Sequence, residues 1–440
     1  MTVSALESAI TGMLLSDAET AALLSDGAHI DAMLRVEAAL ARAEAEAGAI
    51  PAQAARRIAE VAATLAVAPE SLAAGTAEAG VPVAALAAKL RQAVGADAAD
   101  FVHWGATSQD VIDTALVLRL GTVLALFETR IKGLCAALAD LAEKHRDTAM
   151  AARTRSQQAV PTSFGLKAAG WRAPLVRDLA RLAELRPRLL VVSLGGAGGT
   201  LAALGDAGLA VEAAFARDLA LGVAPLPWHT QRDAICELAG WLALVTGSLG
   251  KMADDIILLA QSEVGEVRAG AGGGSSTMPN KANPILPEAL VALARFNAAQ
   301  AGAVHQAMLQ AHERAGPGWQ LEWLTVPQMA LATGAALRHA AAILGALRVD
   351  PARMRANLDA SNGLVLAEAA SFALARHMPR SQARALVEDA CREARAGGGH
   401  VIDILAKRCA APVDWRALKD PANYLGAAAA LIERALKETP

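Results

Sequence analysis

Ser275, Ser276, Lys281 and Asn283 lie in one glycine-rich stretch, Gly270–Pro284, which reads GAGGGSSTMPNKANP. Glycines let a backbone turn several N–H groups inward as an anion-binding nest. Such a nest, together with the Lys281 ammonium, could hold a substrate carboxylate or lower the pKa of a serine hydroxyl. The stretch is therefore a candidate lid that carries a proton-transfer group. A phosphate-binding P-loop needs Ser or Thr directly after its lysine, and Ala282 follows Lys281, so that reading fails. A plain Gly-Ser linker leaves the Met278–Pro284 segment unexplained.

Four other blocks offer polar side chains. VHWGATSQDVIDT at Val102–Thr114 holds His103, Thr107, Ser108 and Gln109. Thr107 and Ser108 stand where they could cap a long helix, and the N–H groups there would also suit an anion. RTRSQQAVPTSFG at Arg153–Gly165 sets Arg153, Thr154 and Arg155 beside Gln157. Guanidinium forks suit carboxylates, although a solvated loop would look the same. WHTQRD at Trp228–Asp233 brings His229, Gln231 and Arg232 to a helix entry, where a lone histidine is most often structural. SLGGAGGTLAALG at Ser193–Gly205, with Thr200, resembles a dinucleotide fingerprint only superficially, because no βαβ pattern surrounds it.

Helices must position these blocks. No proline occurs between Pro82 and Pro161 or between Pro227 and Pro279, and alanine and leucine dominate. Both favour helices longer than usual. Apolar residues recur at helical spacing from near Val111, through Ile112, Leu116, Val123, Phe127, Ile131 and Leu138. Further helices are predicted over about 232–266 and 286–313. Loop signals fall at 99–109, Gly195–Gly199, Gly222–Thr230 and Gly316–Gly318, and strand alternation is hard to find. The expected fold is all-α, with helical domains at 1–110, 111–358 and 359–440, the middle one a long-helix bundle.

Composition narrows the function class. The chain has 440 residues, of which 54% are hydrophobic and 19% charged, and its net charge is −3. The charges are interspersed, so no basic patch suggests nucleic acid. The longest run free of charge and histidine, Leu189–Gly205, is too short and too glycine-rich for a bilayer, and the N-terminal region lacks a basic leader pattern. Cys135, Cys236, Cys391 and Cys409 are far apart, without metal-binding spacing. A reducing cytoplasmic setting, with no membrane and no metal, is the expectation.

Taken together, the blocks resemble a family. Gly274–Pro284 matches G-S-x-x-M-P-x-K-x-N-P, the long and specific signature of the fumarase/aspartase superfamily, which includes adenylosuccinate and argininosuccinate lyases. The likeness runs through all five blocks. It implies an all-α homotetramer with a central helix bundle, active sites built from three subunits, and no metal or organic cofactor. It also implies that Ser275 is the carbon-acid base and that Lys281 and Asn283 hold a substrate carboxylate. Ser276, Met278 and the polar residues of the other four blocks would complete the substrate site.

One departure is informative. Many relatives read R-T-H in the third block, with that histidine serving as or helping the general acid, and here Arg155 replaces it. The glutamate expected to pair with it, seven residues after Lys281, is Glu288. An Arg155–Glu288 ion pair is therefore expected. Loss of the acid argues against expelling hydroxide or amine. VHWGATSQDVIDTALVLRL, LGGAGGTLAALG, PWHTQRD and HERAGPGWQLEW instead resemble a lactonising branch that acts on a substituted muconate. There the group exchanged is a carboxylate, a stable anion that needs no acid. The resemblance then implies a small tricarboxylate substrate, 3-carboxymuconate, with a sulfonate in place of the third carboxylate as the variant. A fumarate-releasing lyase of the adenylosuccinate type is the alternative, kept open by His103 and His229. A non-catalytic structural protein on the same scaffold is disfavoured by the intact Ser275, Lys281 and Asn283.

Overall fold

The structure is a computed structural model and describes residues 4–270, 273–274, 278 and 281–438. Ser275 and Ser276 lie outside the described residues. The chain divides into two compact units. The first comprises Met1–Arg130, Asp178–Gly247 and Ala292–Arg338, and the second Ile131–Arg177, Ser248–Val291 and His339–Pro440. Five long helices each contribute residues to both units: Ser108–Lys144, Phe164–Leu189, Asp233–Leu259, Ile285–Ala307 and Gly316–Ala346.

The all-α expectation holds. Val111, Ala115, Leu124, Phe127, Ile131 and Leu138 of the 37-residue Ser108–Lys144 helix are fully buried. Each large side chain taken out of water contributes about 1.5–3 kcal/mol. In the first unit, Ile30, Met33, Leu34 and Leu40 of the Asp26–Glu46 helix share one core with Ile58, Leu86, Leu90 and Phe215. In the second, the Arg380–Arg395 helix buries Ala383, Val387, Ala390, Cys391 and Ala394 at helical spacing and turns its arginines and acids outward.

Two local readings are corrected. Gly316–Gly318 is not a loop but the first turn of a 31-residue helix. Pro317 is tolerated there because first-turn N–H groups have no helical acceptor. This helix is long and apolar enough to cross a membrane by composition, but 67% of its most apolar window is buried, as in a core helix. The second correction is the presence of strands. β1 (Ala149–Thr154) and β2 (Gln157–Ser163) form an antiparallel hairpin, and two shorter ribbons pair Val267–Arg268 with Arg348–Val349 and Gly273–Gly274 with Ala282–Asn283.

Candidate active site

The first unit gathers the TSQD, Gly-Gly-Thr and WHTQRD blocks around a residue that the sequence reading passed over, Asp110. Its buried carboxylate accepts four hydrogen bonds. One oxygen takes Gly195 N at 2.8 Å and His229 Nε2 at 2.6 Å, and the other takes Gly196 N at 3.0 Å and Thr107 N at 2.9 Å. An ionised carboxylate can only accept, so Nε2 of His229 carries a proton. The Thr107 contact is half of a capping box, since Asp110 reaches back from the first turn to the residue preceding the helix. Helix capping at this point is therefore done by Asp110. The half-buried hydroxyls of Thr107 and Ser108 make no hydrogen bond among the described residues, which leaves them available to a ligand.

The glycine block has a local reason. A Cβ on Gly195 would fall 2.9 Å from His229 Cε1, and Gly196 (φ +66°) would place one 2.9 Å from the Gly105 carbonyl oxygen. These glycines let the loop close onto Asp110, and their N–H groups are already engaged there. Thr200, farther along the loop, is exposed. Gln231 is also exposed, with a long 3.4 Å bond from its amide to Pro227 O.

His103 occupies a left-handed backbone position (φ +61°), uncommon for a non-glycine residue. Its Nδ1 lies 2.7 Å from Glu37 Oε1. Burial alone would lower its pKa, but the adjacent Glu37 carboxylate outweighs burial, so the pKa is raised and the charged form is favoured. Glu44, on the same helix as Glu37, is pushed up to about 9 by burial and by Glu37, so it is neutral near pH 7.

Two residues expected at the substrate are engaged by buried partners within the chain. Arg232 is completely buried. Its guanidinium donates to Asp113 at 2.6 and 3.2 Å and to Glu322, with Nε at 2.9 Å from Oε1, and it stacks over Trp228 at 4.7 Å. Burial opposes its charge, but the two carboxylates outweigh that and raise its pKa. Gln109, also buried, donates to Asp113 Oδ2 at 3.1 Å and to His229 O at 3.0 Å, tying the WHTQRD loop to the helix start. Arg232→Met is expected to destabilise the protein by about 3–5 kcal/mol, because it strands two buried carboxylates. The measurement is urea denaturation of the variant. Normal stability with a raised KM would instead make Arg232 a substrate contact.

The second unit holds the other blocks. At the turn of the β1–β2 hairpin, Thr154 pairs with Gln157, and Arg155 (φ +50°) and Ser156 (φ +64°) are both left-handed. Two-residue hairpin turns of this kind normally use Asn or Gly. Holding an arginine and a serine there stores backbone strain, as functional turns often do. Thr154, Arg155 and Gln157 are exposed at this tip. Arg153, back on the strand, is committed elsewhere. It makes a two-pronged ion pair with fully buried Glu266, at 2.9 and 2.7 Å, and Asn357 also donates to Glu266 at 2.8 Å. Arg153 thus anchors the hairpin that presents Arg155.

The expected Arg155–Glu288 ion pair is not formed among the described residues. Both side chains are exposed, Arg155 on its hairpin turn and Glu288 in the first turn of the Ile285–Ala307 helix, where an acid favours the helix dipole. Lys281 and Met278 are exposed and Asn283 is half-buried. Gly273 pairs with Asn283 and Gly274 with Ala282, so a short ribbon clamps the two ends of the serine-bearing segment together.

Comparison with known proteins decides the family. A model described as Lyase matches residues 15–296, and one described as Adenylosuccinate lyase C-terminus matches residues 363–435. The chain belongs to the fumarase/aspartase superfamily of lyases. It is 46% identical over 430 residues to the 3-carboxy-cis,cis-muconate cycloisomerase of Pseudomonas aeruginosa, covering 95% of this chain and 93% of that one. Identity to the cycloisomerase of the same name from Bradyrhizobium diazoefficiens is 44% over 437 residues, covering 96% of each. The crystal structure of the 3-carboxy-cis,cis-muconate lactonizing enzyme from Pseudomonas putida superimposes with a TM-score of 0.91 at 41% identity, covering 97% of both chains.

Proposed function

We propose that the protein is a soluble, cofactor-independent cycloisomerase that converts 3-carboxy-cis,cis-muconate to 4-carboxymuconolactone. Near-complete coverage at 46% identity to a cycloisomerase of that activity carries the reading. The exposed arginine on the strained hairpin turn, in place of a proton-donating histidine, agrees with it.

One substrate carboxylate oxygen adds to the carbon β to a second carboxylate. The electron pair of the double bond moves into that second group, giving an aci-carboxylate dianion. Lys281, Asn283 and the glycine-rich amides stabilise the dianion, since fixed donors aimed at developing charge lower the barrier most. Ser275 then delivers a proton to the α carbon and is reprotonated from water. Thr107 and Ser108 at the helix start, His103 and Arg155 receive the remaining anionic groups. The Asp110–His229 pair fixes the loop beside them.

We also infer a homotetramer with sites shared between subunits, in which 111–358 forms the central bundle between end domains 1–110 and 359–440. Leu244, Leu258 and Leu324 on the long helices are 48%, 48% and 64% exposed, which a packed bundle would cover. Each subunit would lend its Arg155 turn to a site whose Glu288 and Lys281 come from another. The four cysteines form no disulfide, which fits a cytoplasmic setting.

The test is ultraviolet absorbance of purified protein with 3-carboxymuconate. Loss of the conjugated-diene band, with lactone as product, is expected. An unchanged band, together with fumarate release from adenylosuccinate, would replace this reading with the lyase one.

A further inference from the structure

A cavity of about 630 Å³ lies in the first unit, bordered by the Asp26–Glu46 helix, residues 69–82 and parts of the Ser108–Lys144 and Gly316–Ala346 helices. Most of its wall is apolar, including Ile30, Met33, Ile112, Leu116, Trp323 and Val326. None of the candidate active-site residues among the described residues lines it.

Arg119 also lines this cavity, and it is poorly satisfied. Its hydrogen bonds among the described residues are long ones to carbonyls, Nε to Ala115 O at 3.3 Å and Nη1 to Leu24 O at 3.5 Å. Among the described residues no carboxylate stands within ion-pair distance of it, and Asp26 acts on it only from farther off. Burial pulls its pKa down to about 10. His29 borders the same space, and its Nε2 is buried with no partner among the described residues. Burial and nearby Arg119 push its pKa down to about 3, so it is neutral.

Half-buried and lining the open space, the Arg119 guanidinium keeps donors that the two long carbonyl contacts satisfy poorly. The apolar side chains of the wall supply no acceptor, and Asp26 and Glu322 in it make no ion pair with Arg119 among the described residues, but an entering carboxylate can do so. Its two oxygens match the arginine fork, and a neutral imidazole N–H can donate to one of them. An apolar body attached to that carboxylate would cover the remaining wall, as in ordinary ligand pockets of this size.

We propose that this cavity is a second small-molecule site that binds a compact apolar monocarboxylate, with its carboxylate on Arg119 and His29. A tricarboxylate does not fit the same description. Arg119 is the cation in the lining, and Asp26 and Glu322 there would repel further anionic groups. The site is thus chemically distinct from the proposed catalytic one.

The probe is benzoate, titrated into the full-length protein and followed by tryptophan fluorescence, since Trp323 lines the cavity. Saturable binding is expected below about 20 mM. Neutral benzamide should bind at least about tenfold more weakly, and Arg119→Met should weaken benzoate by a similar factor. Ala77→Trp, at an exposed position in the lining, should fill the mouth and abolish binding with the helical signal intact. 3-Carboxymuconate should not displace the benzoate. Absence of saturable binding, equal binding of benzamide, persistence in Ala77→Trp, or displacement by 3-carboxymuconate would each overturn the proposal. If Arg119→Met fails to fold, the benzamide and Ala77→Trp arms still decide. The readout is binding alone, so its failure leaves the cycloisomerase reading untouched.

Discussion

Ser275→Ala is expected to lower turnover of 3-carboxymuconate by at least about a thousandfold while the helical signal stays unchanged. That is the scale for losing a principal proton-transfer group together with its orientation. Ser276→Ala should cost less. The expectation rests on the signature match at Gly274–Pro284 and on the ribbon that joins Gly273–Gly274 to Ala282–Asn283, which holds the ends of that segment at a set spacing. Near-normal turnover of Ser275→Ala would remove the serine from its assigned role. The same variant tests the shared sites. Mixed with an inactive variant at Thr107 or Ser108, it should regain part of the activity, because some mixed sites carry neither lesion. No recovery after confirmed subunit exchange would count against sites built from several chains.

What could be read from the sequence, and what could not, follows from the range of the interactions. The long helices were legible because alanine, leucine and unbroken apolar periodicity act locally. The hairpin was not legible. Ala149–Thr154 reads AMAART, with little β-branching, and its turn lacks the Asn-Gly pair that usually marks one. The polar blocks were legible as blocks, but the division of labour inside them was not. Arg153 and Arg155 look equivalent in sequence, yet Glu266, 113 residues away, claims Arg153 and leaves the neighbouring turn to present Arg155. Asp110 was legible only as a possible first-turn acid. The donors that make it a hub, Gly195 and His229, lie 85 and 119 residues along the chain. Arg232 showed the converse. A basic residue in a motif suggested an anion site, and its anions proved to be Asp113 and Glu322 of the protein itself. Motif residues declare that a place matters. Whether each faces ligand or core is set by distant partners.

In the proposed function Arg155 serves the third anionic group of the substrate, and its substitution should read out which anion it serves. A guanidinium stays charged at every working pH, so it is a poor proton donor and a good carboxylate clamp. Its backbone at φ +50° is held by a hairpin that Arg153 pins to Glu266, so the fork is presented from a braced turn. A substrate whose departing or entering group is a carboxylate needs no acid at this position, only a cation for its third charge. Arg155→Lys is therefore expected to lower kcat/KM for 3-carboxymuconate by about tenfold or more, since a point charge cannot replace a two-pronged contact. Arg155→His should lower it further, toward a hundredfold, at the pH where imidazole is mostly neutral. Neither variant should lose as much with unsubstituted muconate, which lacks the third anion. Arg155→His should gain no fumarase or adenylosuccinate lyase activity, because in the proposed site this position holds an anion and the remaining donors are not arranged to protonate a departing hydroxide or amine. The measurement is kcat/KM of each variant with both muconates. Equal losses on the two substrates, or no loss on either, would mean that Arg155 does not read the third carboxylate.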